Sequence, residues 1–555
     1  MDYKWNVLYK ANNLQDILRN VLQWKNISKD KVREFIDFNM KPHDPYLLTN
    51  MNKAVNRIKK AIDNNEKICI IGDYDADGVT ATSMLYIALR NLQINVIWQV
   101  PDRFKDGYGM NNRLIDVANE ENCNLIITVD NGIKSHEEVK YANSLGIDVI
   151  ITDHHQHTEN ELPTEITIDP DIDDNYPFKG IAGCMVAFKL INALISNLDI
   201  IDELTDTTLH EELIEIVTIG TIADVMELSN ENRYYVKKGL ELLSNPKNIG
   251  LKVLMKKLNL YGKELSASDI GFMVGPCINA SGRMESPDHA VKLLLCDDEV
   301  EAEKYAIKLI KLNDERKKIQ RKVLKELKID ENDNFIIKII NDEKCKGILG
   351  IIAGNIADKY QKPCFVLGGN EKLSGSGRSV YTYDINSVVQ ANKDLVSGGG
   401  HAAACGIALS KENLDQFKSI CDNHFAKWLE NATMDDLVPT IDIVNKIKFD
   451  LISERLINNI NKLKPYGNGN EEPLFISENV NVDSYKIVGK NKNVLQMTLS
   501  QGFNTIAAVG FSSIKDKFDE LNCPNNIDVV YTIGLNEWPP GCFKPQLMIK
   551  DIKLK

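Results

Sequence analysis

Three aspartates at alternate positions, Asp73, Asp75 and Asp77, follow the apolar run 68–71 and Gly72 and precede Gly78 and a helically spaced stretch. An apolar, β-branched run reads as a buried parallel strand. The acids therefore fall on a strand-to-helix turn, where open α/β sheets place their ligands. Carboxylates this close repel one another unless positive charge lies among them, and a hard divalent cation with oxygen ligands supplies it. By itself such a turn reads as a solvated acidic loop, so its companions decide. LIITVDNGI sets Asp130 at the end of a second apolar run, DVIITDHHQH sets Asp153, His154 and His155 at the end of a third, and EIVTIGTIADVMEL carries Asp224 in an apolar segment. Taken singly, Asp130 reads as a helix cap, the histidines as surface residues, and Asp224 as a buried acid paired with an arginine. Taken together they form a mixed oxygen and imidazole set, which suits manganese or magnesium better than thiolate-bound zinc.

The elements that must position these groups are strand candidates at 68–71, 95–100, 125–129, 149–152 and 166–169, with helical stretches between them. That alternation predicts βαβ units and a parallel sheet. Its carboxyl ends share one edge, so Asp75, Asp77, Asp130, His154, His155 and Asp224 converge there. The chain of 555 residues, 43% apolar and 26% charged, is expected to be globular, with about two to four domains. No apolar run reaches a membrane-spanning length and the opening MDYKWNVLYKANN has no secretory core, so no membrane partner is expected. The 11 cysteines are scattered without a CxxC pair, the pattern of reduced thiols in a cytoplasmic protein. The net charge of −13 speaks against nucleic acid only as an average, since residues 304–328 hold ten Lys or Arg against three Asp or Glu.

The elements DYDADG, VDNG, DHH and ADV, in this order and roughly this spacing, resemble the DHH phosphoesterase family. With PDRFKDGYG, AGCMVAFKL, GPCINASGR, SGSGRS, GGGHAAACG and PYGNGNEEPLF, the resemblance covers nearly the whole chain and narrows to the single-strand-specific 5′→3′ exonucleases of that family. It implies a site for two ions, Mn2+ or Mg2+, with Asp75 and Asp77 on separate ions, Asp130 bridging them, and His154 and Asp224 completing the set. His155 would touch the scissile phosphate, and the role of Asp73 stays open. Arg103, Ser376 and Arg378 would hold a terminal 5′-phosphate, Tyr108 would stack on a base, and Asn279, Arg283 and His401 would contact the strand. The implied reaction releases 5′-mononucleotides from single-stranded DNA in repair and recombination. The implied partners are a 5′-ended single strand, a helicase and a single-strand-binding protein, and the implied state is a monomer. Relatives of this branch commonly carry His-Pro where this chain has Cys345-Lys346 before Gly347.

The expected architecture is a parallel-sheet DHH domain at 67–245, joined by a helical connector at 246–330 to a smaller α/β DHH-associated domain at 331–430. A helical lead-in at 1–66 precedes it. A linker at 431–470 leads to an OB-type β-barrel at 471–555, with Tyr485 and Trp538 as candidate core or stacking residues. Trp5 and Trp24 are expected in packing roles. From residue types alone, GPCINASGR, LSGSGRS and SGGGHAAACG read as turns or loops, whose small residues expose backbone N–H groups to a phosphate. A second reading is a phosphoesterase for short oligonucleotides, cyclic dinucleotides or pyrophosphate. A third is a non-catalytic scaffold, against which stands the presence of every expected ligand.

Overall fold

The computed structural model describes residues 3–37, 40–157, 161–197, 207–330, 333–489, 492–536 and 544–554. One of its inner strands is the apolar run beside the first acids, Lys67–Ile71, buried from Ile68 onward. Around it lies an all-parallel sheet in the order Val96–Gln99, Lys67–Ile71, Cys123–Val129, Asp148–Thr152, Thr167–Ile168. Alternate residues of each strand feed opposite cores. Ile68, Ile70, Leu125 and Ile127 pack against the helices Met51–Asp63, Ala76–Asn91, Gly183–Asn197 and Thr207–Ala223. Cys69, Ile71, Ile126 and Ile151 pack against Asn112–Glu120 and His136–Ser144. From Lys67–Ile71 the chain crosses to one side and then returns to Cys123–Val129 on the other. The winding reverses between those two strands, and a crevice opens at their carboxyl ends.

The helix Gly183–Asn197, whose first turn lies at that crevice, is anchored by a buried ion pair. Lys189 is 1% exposed and donates to Glu231 at 2.5 Å and to the His43 carbonyl at 2.7 Å. Tyr176 donates to the other oxygen of Glu231.

The helix Glu299–Glu326 joins two cores as expected of a connector. Ala302, Ala306 and Leu309 enter the first, while Ile319, Val323 and Leu324 pack on that of the second sheet. The second sheet runs Val396–His401, Ala404–Ser410, Lys372–Arg378, Cys364–Gly368, Ile336–Ile339. Here the loop reading is corrected: LSGSGRS lies almost wholly in the strand Lys372–Arg378, and SGGGHAAACG is a hairpin of the strands Val396–His401 and Ala404–Ser410. Glycine serves close strand approach, since a Cβ on Gly375 would sit 2.0 Å from the Val366 carbonyl oxygen. GPCINASGR is likewise no turn but lies within the helix Gly275–Met284, entered through a π-helical turn at Ile270–Val274.

The chain forms two compact units, Pro42–Leu437 and a second made of Met1–Lys41 with Val438–Lys555. That division corrects the helical lead-in and the linker. Lys4–Lys10 is a strand paired in parallel with Thr440–Lys446, which pairs in turn with Phe475–Val488. Trp5 donates to Asp551 at 2.8 Å, and Trp24 packs at the edge of this unit's core. As expected of the OB-type domain, five C-terminal strands close into a barrel. Phe475–Val488, Val494–Gln501, Asn504–Gly510, Lys544–Lys553 and Asn526–Asn536 pair in that order, and the last returns to the first. Tyr485 is 48% exposed and meets Phe518 edge-on at 5.1 Å, so it is not core; Trp538 lies outside the described residues.

Removing one member of a buried pair leaves an uncompensated charge, at a cost of about 3–5 kcal/mol. Lys189→Met should therefore lower the urea midpoint of the unit clearly, and adding Glu231→Gln should recover part of the loss. Equal midpoints for Lys189→Met and the wild-type protein would show that the pair anchors nothing.

Candidate functional site

The acids of the first turn are fixed by backbone. Asp75 caps the helix Ala76–Asn91, accepting from the N–H groups of Asp77 and Gly78 at 3.0 and 3.1 Å. Asp77 accepts from Gly183 and Cys184 at 2.7 and 3.0 Å, at the start of the helix Gly183–Asn197. Two helix N-termini thus face these carboxylates, the polarity that favours negative charge. Glycine at 78 lets the turn double back, because a Cβ there would lie 2.6 Å from the backbone of Asp73. Asp130 follows its strand in the left-handed region, at φ 62, a conformation rare for a residue with a side chain and frequent at functional sites. Gly183 faces it so closely that a Cβ would lie 2.6 Å from Asp130 Cβ. Buried Asn131 ties the two strand ends across the crevice, donating to the Ile71 and Val129 carbonyls at 3.1 and 2.9 Å.

The expected ligands do meet. His154 Nε2 lies 3.2 Å from Asp130 Oδ1 and 3.7 Å from both Asp77 Oδ2 and Asp224 Oδ2. Ligand atoms of Asp77, His154 and Asp224 come within 4.8 Å of one another, as do those of Asp130, His154 and His155, and of Asp73, Asp75 and Asp130. Asp73, left open above, therefore belongs to the cluster. Burial, and after it the neighbouring carboxylates, pushes Asp73 and Asp130 well above the usual carboxylate range and raises Asp75. The same causes raise Asp224 to about 8. Asp73 Oδ1, Asp130 Oδ1 and Asp224 Oδ2 are buried and accept no hydrogen bond among the described residues. Orphaned acceptors in a polar, acid-lined crevice are what a cation site requires, and the donor set of carboxylates with one imidazole fits hard or borderline divalent ions.

His155 stands beside this cluster, held by a residue to which the sequence reading gave no role. Asp153 is fully buried, accepts from His155 Nδ1 at 2.7 Å, and also accepts from the backbone of Ile133, His154 and His155. Burial works against a charged imidazole, but the Asp153 carboxylate more than offsets it and raises His155 to about 9. The signal for Asp153 was its place at a strand end, equivalent to that of Asp130. Tyr108 donates to the Asp130 carbonyl at 2.8 Å and lies 3.1 Å from His155 Nδ1, so its hydroxyl braces the site while half its surface stays exposed.

A cationic group borders the acids. Arg103 lies over the ring of Tyr74 at 5.0 Å, and burial, then the charge of Arg103, lowers Arg283 to about 10. Asn279 accepts from the N–H of Ala76 at 3.0 Å, which places it against the acid-bearing turn. Arg378 donates to Ser376 Oγ at 2.7 Å, and both border Gly350. Nearby Gly347 abuts the Arg283 carbonyl and the ring of Phe104, and its own carbonyl accepts from the Arg283 guanidinium at 3.3 Å. His401 ends its strand with an exposed ring. Cys345 is buried, whereas Lys346 is exposed with its ammonium 5.5 Å from the centre of the Phe104 ring.

Residues 67–221 match the model of the DHH family N-terminal domain, 332–427 the DHHA1 domain and 443–551 the RecJ OB domain. The single-stranded-DNA-specific exonuclease RecJ of Haemophilus influenzae is 31% identical over 517 residues, 89% of this chain and 89% of that protein. The chain belongs to the RecJ family. The RecJ of Bacillus subtilis is 36% identical over 92% of this chain, which spans 64% of that relative's length. Among solved structures, RecJ of Thermus thermophilus in complex with Mn2+ shares the fold, with a TM-score of 0.83 at 24% identity over 100% of this chain and 80% of that one. A RecJ exonuclease bound to manganese matches with a TM-score of 0.61 at 29% identity over 70% of this chain and 98% of that one.

Replacing one buried acid by its amide removes a like charge and a ligand together. In chelator, Asp130→Asn should raise the thermal midpoint, because the cluster's repulsion falls. Added Mn2+ should then raise the wild-type midpoint by several degrees and the variant's by clearly less. An equal Mn2+ shift in both proteins would contradict the assignment.

Proposed function

We propose that the chain is a metal-dependent 5′→3′ exonuclease that hydrolyses single-stranded DNA to 5′-mononucleotides. The observation that carries this reading is the set of buried, orphaned carboxylates gathered around His154 at the sheet's switch point, in a chain of the RecJ family. Asp75, Asp77, Asp130, His154 and Asp224, joined by Asp73, would hold two ions, and the manganese found in the RecJ relative at 29% identity supports that choice. Divalent cations supply Lewis acidity toward a phosphodiester and make water acidic enough to react near neutral pH.

The chain's own groups do the rest. His155, oriented by Asp153, presents a donor toward the scissile phosphate and stabilises charge that develops there. Arg103, Ser376 and Arg378 grip the terminal 5′-phosphate, the arginines through their planar forks. Arg283, Asn279 and His401 position the strand, and the exposed face of Tyr108 stacks on a base. The barrel and the basic residues 304–328 favour a polymeric substrate over a dinucleotide, because a small molecule needs neither. Repair and recombination are the settings in which such an activity would serve.

A 5′-labelled oligonucleotide distinguishes the polarity at once: label is released as mononucleotide from the first turnover if cutting starts at the 5′ end. Arg378→Ala should lose most of the preference for a 5′-phosphate over a 5′-hydroxyl, with a fall of about tenfold or more in kcat/KM on the phosphorylated end. Release of label only as a shortening ladder from the 3′ end, or an unchanged end preference, would overturn the reading.

A further inference from the structure

The helix that carries Asn279 and Arg283 has one open stripe. Between Gly271 and Met284, Phe272 is exposed and Pro276, Asn279 and Arg283 are half-buried, at spacings of four, three and four residues, so they share one face. Most positions between them are buried, and Met273 packs against the core. The two later members of this stripe already face the site. Arg283 lies with Arg103 and Tyr74, and Asn279 lies on the turn that bears Asp75. Phe272 therefore sits at the opposite end of the same face, beyond the acids as counted from the arginines.

Other observations place it beside the site. The π-helical turn Ile270–Val274 packs on the end of the helix that delivers Asp224. A Cβ on Gly271 would lie 3.6 Å from Ile222, and one on Gly275 would lie 3.3 Å from Ala223. Val225, next to Asp224, takes φ 58, an outlier for a β-branched residue, and is 66% exposed. Phe272 is 78% exposed. A π-turn and a strained backbone, each with an exposed apolar side chain, flank the acid cluster at the same end, and both features recur at functional sites.

We infer that Phe272, with Val225 beside it, is a stacking seat for a nucleobase on the 3′ side of the bond to be cut. This rests on the exonuclease reading above. With the terminal phosphate at Arg103, Ser376 and Arg378, the scissile phosphate at the acids and the strand positioned by Asn279 and Arg283, the strand leaves along the open stripe toward Phe272. An exposed aromatic face on that path takes any base, because every base has a π-face. The partner is the retained single strand itself, and no sequence preference follows.

The test walks a single abasic site from the second to the fifth position of a 5′-phosphorylated oligonucleotide. The wild-type protein should lose about tenfold in kcat/KM when the missing base is the one on Phe272. Phe272→Ala should be about tenfold slower on intact DNA, chiefly through KM, should show no further loss at that position, and should regain activity as Phe272→Trp. An abasic penalty that survives unchanged in Phe272→Ala would overturn the inference. Binding of a fluorescent single strand in chelator, where nothing is cut, separates this from the activity itself. About tenfold weaker binding by Phe272→Ala supports the seat even if the wild-type protein cuts no DNA, and equal binding overturns it.

Discussion

Like charges buried a few ångströms apart set the terms for the rest of this molecule. Two carboxylates about 4 Å apart repel by roughly 4 kcal/mol at an effective dielectric of 20. Several such pairs at one strand edge amount to a cost on the order of a whole domain's net stability. Burial and neighbouring acids raise Asp73, Asp75, Asp130 and Asp224 together, and three of these have an oxygen that accepts no hydrogen bond among the described residues. A protein keeps such an arrangement when cations complete it.

The fold supplies rigid support at the points where the acids need it. Asp75 and Asp77 are fixed by N–H donors of two helix starts, and Asp130 is held in the left-handed region against Gly183. Asn131 clamps the strand ends, and Asp153 orients His155 through one of its two oxygens. Lys189, paired with buried Glu231, lies farther along the helix whose first turn donates to Asp77. Position at the acids thus depends on groups outside the acid cluster itself.

Much of this was legible in the sequence because short-range patterns carry it. Apolar runs ending in acids announced the parallel strands and their common edge, and the tail at 471–555 announced the barrel. Three kinds of feature were not legible. The strand Lys4–Lys10 pairs with Thr440–Lys446, more than four hundred residues away, and no local pattern reports such a partner. Glycine hid the strands Lys372–Arg378 and Val396–His401, since residues without side chains show no alternation. In GPCINASGR, Gly, Ser and Asn suggested a turn, yet the segment is helical because its buried face packs on Tyr74 and Ala223, a tertiary effect that outweighs propensity. For Asp153, spacing showed the position but gave no sign of the hydrogen bond to its neighbour's ring.

The account's central claim is that cations complete the acid cluster. Diffraction from crystals grown with Mn2+, collected at the manganese absorption edge, tests it most directly. Two anomalous peaks, each bounded by oxygens of Asp73, Asp75, Asp77, Asp130 or Asp224 with His154 nitrogen on one of them, are the expected result. Full manganese occupancy elsewhere, with the orphaned oxygens of Asp73, Asp130 and Asp224 left facing only one another, would contradict it.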